Sequence, residues 1–172
     1  MPAKNHNKSF ALAAFIAVTA LYSVQGSAAT ATATASATIS DAPIAITNTQ
    51  PLSFGEISAG NQASTITLAA DGTRTLASGN AVLGATAGSA ATFDVTGESN
   101  KAFTINLPTT SVTLSDGGTN TMTVSNFVSD AGATPALDAS GAATFNVGAE
   151  LAVAANQAAG SYSGSFTVEV VY

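Results

Sequence analysis

Chemistry at a protein site needs groups that move protons, attack carbon or hold a metal, and this chain is short of them. It has one histidine, His6, and neither cysteine nor tryptophan. Serine and threonine abound, but a hydroxyl becomes a nucleophile only beside a general base, most often an imidazole. A Lys101-assisted serine is the formal remainder, and a lysine following Ser99-Asn100 reads better as a turn charge. Asp71, Asp94, Glu98 and Asp116 are the carboxylates in which an acid/base pair for glycoside hydrolysis would be sought. Each falls singly in a turn or on the polar side of a strand, the pattern of solvated charge. Zinc and copper lack their preferred ligands. Calcium accepts oxygen ligands, for which Asp116-Gly117-Gly118-Thr119-Asn120 and Asp130 to Asp138 are the candidates. Neither shows regular carboxylate spacing, so a structural turn is the preferred reading. No helical pattern follows Asp71-Gly72 or Gly117-Gly118 to make a phosphate loop. The expectation is therefore no catalytic residue, no metal and no cofactor.

The elements around these residues begin with a segment set aside from the fold. Lys4 and Lys8 precede an apolar run from Phe10 to Val24, and Ser27-Ala28-Ala29 supplies small residues for a signal peptidase. Residues 1–29 thus read as an export signal cleaved after Ala28 or Ala29, the run being shorter than the roughly 20 apolar residues of a membrane anchor. The expected product is secreted, to the periplasm or cell surface, with no membrane attachment in its mature form. Past residue 29, all 10 acidic residues face only Arg74 and Lys101, a net charge of −8. That sign argues against nucleic acid as a partner. With 46% hydrophobic and 8% charged residues, the chain has the material for a core. Export permits disulfides, but with no cysteine, stability must come from packing and sheet hydrogen bonds.

Residues 30–40 form an extension before a domain spanning 41–172. Thr30 to Ile39 alternates hydroxyl and small apolar side chains, which in a strand places Ala31, Ala33, Ala35, Ala37 and Ile39 on one face. Short alternating segments then follow one another between turn signals, as in a sandwich or barrel. Strands are expected at Pro43 to Asn48, Ser64 to Ala69, Ala91 to Thr96, Ala102 to Leu107 and Ser111 to Leu114. Others are expected at Thr121 to Val128 with Met122 and Val124 inward, at Ala143 to Val147 and at Glu150 to Ala154, with a weaker one at Ala81 to Thr86. Phe93, Phe103, Phe145 and Phe166 belong in the core, which weakens any case for sugar stacking. The closing segment has the cleanest pattern: Tyr162, Gly164, Phe166, Val168, Val170 and Tyr172 alternate with Ser161, Ser163, Ser165, Thr167 and Glu169. If fully buried as one strand, it would contribute ~10 kcal/mol. The fold expectation is all-β, an antiparallel immunoglobulin-like or pilin-like sandwich of about seven to nine strands.

Ala31 to Ile39, Pro51-Leu52-Ser53-Phe54-Gly55-Glu56-Ile57, Phe93-Asp94-Val95-Thr96-Gly97, Phe103-Thr104-Ile105-Asn106-Leu107-Pro108 and Gln157 to Tyr172 resemble a bacterial domain-of-unknown-function family of small secreted β proteins. That family has no established catalytic residues to carry over. The closing Ala159-Gly160-Ser161-Tyr162-Ser163-Gly164 strand, ending in Tyr172, is similar to the end of spore coat protein U type and other chaperone-usher pilins. The resemblance implies a sandwich lacking one strand until the N-terminal extension of a neighbouring subunit fills the gap. It further implies self-association or other pilin-like subunits as partners, with a periplasmic chaperone and usher. Many such pilins carry a disulfide, and this chain departs from them in having no cysteine.

Two readings of the residues stand side by side. Thr30 to Ile39 is either donated to an open sheet edge of another subunit or folds back as the first strand of its own sandwich. A structural or adhesive cell-surface subunit is the expected function, with Ala31 to Ile39 as donor and the Tyr162 to Tyr172 strand at the groove. A secreted monomeric module binding a glycan or protein is the alternative.

Overall fold

The computed structural model describes residues 28–172, so the export-signal reading falls almost entirely outside the described residues. The chain divides into two units, residues 1–38 and Ile39–Tyr172. In the first, Ala28 to Thr38 is exposed throughout and carries no strand. The alternation of Thr30 to Ile39 therefore does not produce a strand by itself. An extended segment is held by ladder hydrogen bonds to a neighbour, and alternation supplies the faces but not the partner.

The second unit is all-β. Its strands are β1 (Ala45–Gln50), β2 (Ile57–Ser58), β3 (Ser64–Leu68), β4 (Arg74–Ser78), β5 (Val82–Leu83), β6 (Ala91–Thr96), β7 (Thr104–Asn106), β8 (Val112–Ser115), β9 (Thr121–Ser129), β10 (Ala142–Val153) and β11 (Glu169–Val171). Every pairing is antiparallel. Seven strands form the main sheet in the order β1-β6-β10-β3-β4, with β9 also on β10 and β8 on β9. β11 pairs with β7 and β2 with β5 in two small ladders. No helix among the described residues is long and apolar enough to cross a membrane.

β10 organises the unit because it exchanges partners along its length. Ala142 to Val147 pairs with β6, and Ala149 to Val153 pairs with β3. The segments expected as two strands, Ala143 to Val147 and Glu150 to Ala154, are thus one, with Gly148 between the two partners. Alternation places Ile66 and Leu68 of β3, Val95 of β6, and Phe145, Val147 and Leu151 of β10 in the core, all at most 2% exposed. Phe93 stacks on Phe145 across the β6–β10 ladder, ring centroids 5.5 Å apart. Burying such side chains is the main favourable contribution to this fold.

Other expectations change as well. β4 was unforeseen, since Arg74 to Ser78 shows almost no apolar face and lies exposed on the sheet edge. In β9 the inward face does not run on from Met122 and Val124 by strict alternation. Asn126 adopts φ 52° and the pairing with β10 shifts register there, so Phe127 turns into the core and Val128 is 51% exposed. An extra residue in one strand moves its following side chains to the other face, the action of a β-bulge. The closing segment, expected as one strand over Tyr162 to Tyr172, pairs only through Glu169–Val171 and an isolated bridge from Ser163 to Ser115.

Candidate functional site

The residues first considered for chemistry are each engaged in local structure. The Asp71 carboxylate accepts the Thr73 N–H at 2.8 Å. Asp94 accepts the Thr144 hydroxyl at 2.7 Å, and Glu98 accepts the Ala42 N–H at 3.0 Å. In the first calcium-loop candidate, Asp116 accepts the Asn120 side-chain amide at 2.6 Å and the Gly118 N–H at 2.8 Å. In the second, Asp130 binds the backbone and side chain of Asn146, while Asp138 accepts the Ser140 hydroxyl and the N–H groups of Ser140 and Ala142. Asp71, Asp116 and Asp138 act as turn caps, in which short acidic side chains satisfy nearby donors, while Asp94, Glu98 and Asp130 bind residues distant in the sequence. Bonds to the charged form hold three carboxyls below their ordinary pKa. The Thr73 backbone acts on Asp71, the Asn120 side chain chiefly on Asp116, and the Ser140 hydroxyl chiefly on Asp138. Among the described residues no cluster of three or more His, Cys, Asp or Glu is placed to hold a metal. Lys101, read as a turn charge, forms an ion pair with Asp41.

The closing segment keeps its alternating burial although most of it lacks a ladder. Val168 and Val170 are buried, Tyr162 and Phe166 half-buried, and the odd-numbered residues from Ser161 to Val171 exposed. Ser163 exchanges both backbone hydrogen bonds with Ser115 at 2.9 Å, and Glu169 to Val171 pairs with β7. Between them, the backbone N–H and C=O groups of Gly164 to Thr167 make no hydrogen bond among the described residues. Gly164 is the point of closest approach, since a Cβ there would stand 2.5 Å from the Thr113 carbonyl oxygen. Phe166 ties this run to the core, its ring centroid 4.9 Å from Phe127 and 6.3 Å from Phe93.

A groove of about 820 Å³ lies against that run. Residues 52–59 form one wall and residues 157–164 with Phe166 the other, while Leu114, Met122, Val124, Phe127 and Leu151 make an apolar floor. A second depression of about 550 Å³ is lined by Ile44 and Ile46, by Asn106 to Pro108 and by Thr167 to Val170. Both depressions thus have residues from the first and the last segments of the domain in their lining.

Arg74 braces the first wall. Its guanidinium donates to the carbonyl oxygens of Phe54 at 2.5 Å, Glu56 at 2.9 Å and Gly84 at 2.8 Å. Sequence reasoning saw Arg74 only as a charge; three carbonyls converging on one planar donor fork cannot be read from spacing. Phe127 was missed because its inward turn depends on the Asn126 bulge.

The structure thus brings Tyr162, Gly164, Phe166, Val168 and Val170 together along the groove. Tyr172 is not part of it. The residue is 41% exposed, and its hydroxyl binds Glu98 and Ala42 beyond the end of β11. Ala31, Ala33, Ala35 and Ala37 are exposed without a strand, and Ile39 is 96% exposed.

No curated protein and no solved structure matches this sequence. A family profile does match residues 44–172, the stretch that contains both walls and the floor of the groove. The chain belongs to that family, which is described as a domain of unknown function (DUF4402).

Proposed function

We propose that this protein is a structural or adhesive cell-surface subunit, pilin-like in assembling by strand donation. The single observation that carries the reading is the unpaired backbone of Gly164 to Thr167 beside a groove with an apolar floor. An open edge of this kind is a template for an added strand, and proteins that do not use such edges normally cover or charge them. Gly164 to Val168 bears neither charge nor proline.

The proposed occupant is Thr30 to Ile39 of a neighbouring subunit. Its Ala31, Ala33, Ala35, Ala37 and Ile39 face would lie on the groove floor, contributing ~5 kcal/mol of apolar burial in addition to backbone pairing. Small side chains suit a narrow gap, and Ile39 offers one large apolar group that now stands in water. The same reading includes export to the periplasm or cell surface. A periplasmic chaperone and an usher would serve as assembly partners, with no role for nucleic acid. It assigns the protein no catalysis and no cofactor.

Electron microscopy of the exported protein, together with gels run after mild denaturant, tests the reading. Filaments and resistant ladders are expected, and deletion of residues 30–38 should abolish both while leaving a folded domain. A chain that stays monomeric and retains a specific ligand on a glycan array would instead identify a secreted binding module.

A further inference from the structure

The two ends of the domain meet in a small polar cluster that the groove does not use. The Ala42 N–H donates to Glu98 Oε2 at 3.0 Å, and the Ala42 carbonyl accepts the Tyr172 hydroxyl proton at 3.1 Å. The same Tyr172 oxygen accepts the Glu98 N–H at 2.5 Å. Asp41 pairs with Lys101, whose ammonium lies 4.7 Å from the centre of the Tyr172 ring. Gly97 makes room for the arrangement, because a Cβ there would stand 2.2 Å from the Tyr172 oxygen. Asp41 and Ala42 are the root of the extension, so the cluster holds that root against the end of the chain.

The position matters because of the other route open to Thr30 to Ile39. To fill its own groove, the extension would have to reverse within Ser40 to Ile44 and run back along the wall that begins at Ile44. A tight reversal closes on backbone hydrogen bonds and spans two to five residues. Here both Ala42 backbone groups are already engaged and Pro43 has no N–H to give. The Asp41 side chain is tied to Lys101 as well. Length does not discriminate between the routes: ten extended residues reach about 33 Å, close to the roughly 30 Å of Tyr162 to Val170. What differs is the turn.

We propose that the Tyr172–Ala42–Glu98 clasp, with the Asp41–Lys101 pair, decides whose extension enters the groove, denying a chain its own and leaving the site to a second copy. The inference rests on the strand-donation reading and adds a control to it. Tyr172, Glu98 and Lys101 are positioning residues in this scheme; none touches the donated strand.

The absence of native cysteine makes the test clean. Cysteine is placed in turn at Ala33, Ala35 and Ala37, each together with Met122→Cys on the groove floor, and the exported full chains are oxidised and run on non-reducing gels. With the clasp intact, the expected product is a ladder of cross-linked copies. Tyr172→Phe keeps the ring beneath Lys101 but removes both hydroxyl bonds. It should raise the ratio of within-chain to between-chain links about tenfold, the scale of losing one to two net hydrogen bonds. Glu98→Ala, which frees the Ala42 N–H, should act in the same direction and serves should Tyr172→Phe fold poorly. An unchanged ladder in both variants overturns the clasp while strand donation stands. Within-chain links in the parent, or no links at any of the three positions, overturn the strand-donation reading and the clasp with it.

Discussion

The rings of Phe127 and Phe166 lie 4.9 Å apart, tilted by 33°, and join the bulge in β9 to the unpaired run before β11. Phe166 also meets Phe93 edge-on, so one side chain fastens the free edge to the main sheet. The groove keeps its shape because this run is anchored by side chains where it has no ladder.

Replacing Phe166 by alanine should therefore lower stability by about 2–3 kcal/mol, below the range for a fully buried phenylalanine because this ring is only half-buried. Urea denaturation measures it. The slope of the transition should stay near the parent's, since the main sheet remains the cooperative unit.

The bulge is testable separately. Asn126 sits at φ 52° and its side-chain amide donates to Glu150 at 2.5 Å. Asparagine tolerates that conformation, whereas a β-branched residue does not. Asn126→Val should cost about 1–3 kcal/mol and Asn126→Gly less. The valine variant should also make Phe127 more accessible, read as a shift in its ring resonances by NMR. Equal losses in the two variants would show that backbone conformation is not what Asn126 supplies.

Arg74 links the carbonyls of Phe54, Glu56 and Gly84 through one planar group. Lysine keeps the charge but has no fork to span three acceptors. Arg74→Lys should lower the thermal midpoint, with a loss of about 1–3 kcal/mol for hydrogen bonds to a charged donor. Hydrogen exchange should quicken in residues 52–59 before it does in β10.

Acid should weaken the domain through its turn caps. Hydrogen bonds, first from the Ser140 hydroxyl, then from the Ala142 N–H, favour ionised Asp138 in the folded state and lower its pKa. A carboxyl lowered on folding adds stability that is fully present above its unfolded value, near pH 4, and is lost as pH falls through the lower folded value. Asp71 and Asp116 act in the same sense. Thermal midpoints should therefore be flat in this contribution from neutrality to about pH 5 and fall below that. Asp138→Asn should flatten the acid limb, and an unchanged limb would remove Asp138 from the account.

Composition alone made an enzyme with imidazole or thiol chemistry an unattractive reading, and period-two alternation made the chain all-β. Ser64 to Ala69 and Ala91 to Thr96 were legible nearly residue for residue, because each buries every second side chain on a continuous ladder. The inward set Phe166, Val168 and Val170 was legible for the same reason. What alternation cannot encode is partnership. Thr30 to Ile39 and Gly164 to Thr167 both alternate, yet neither is paired in a ladder among the described residues, because ladder bonds come from another segment and not from the pattern. Only the tertiary structure showed that β10 serves β6 and then β3, and that an asparagine bulge turns Phe127 inward. The same is true of Tyr172, which leaves the groove to hold Ala42. Each depends on which distant residues arrive alongside, and local side-chain order carries no record of that.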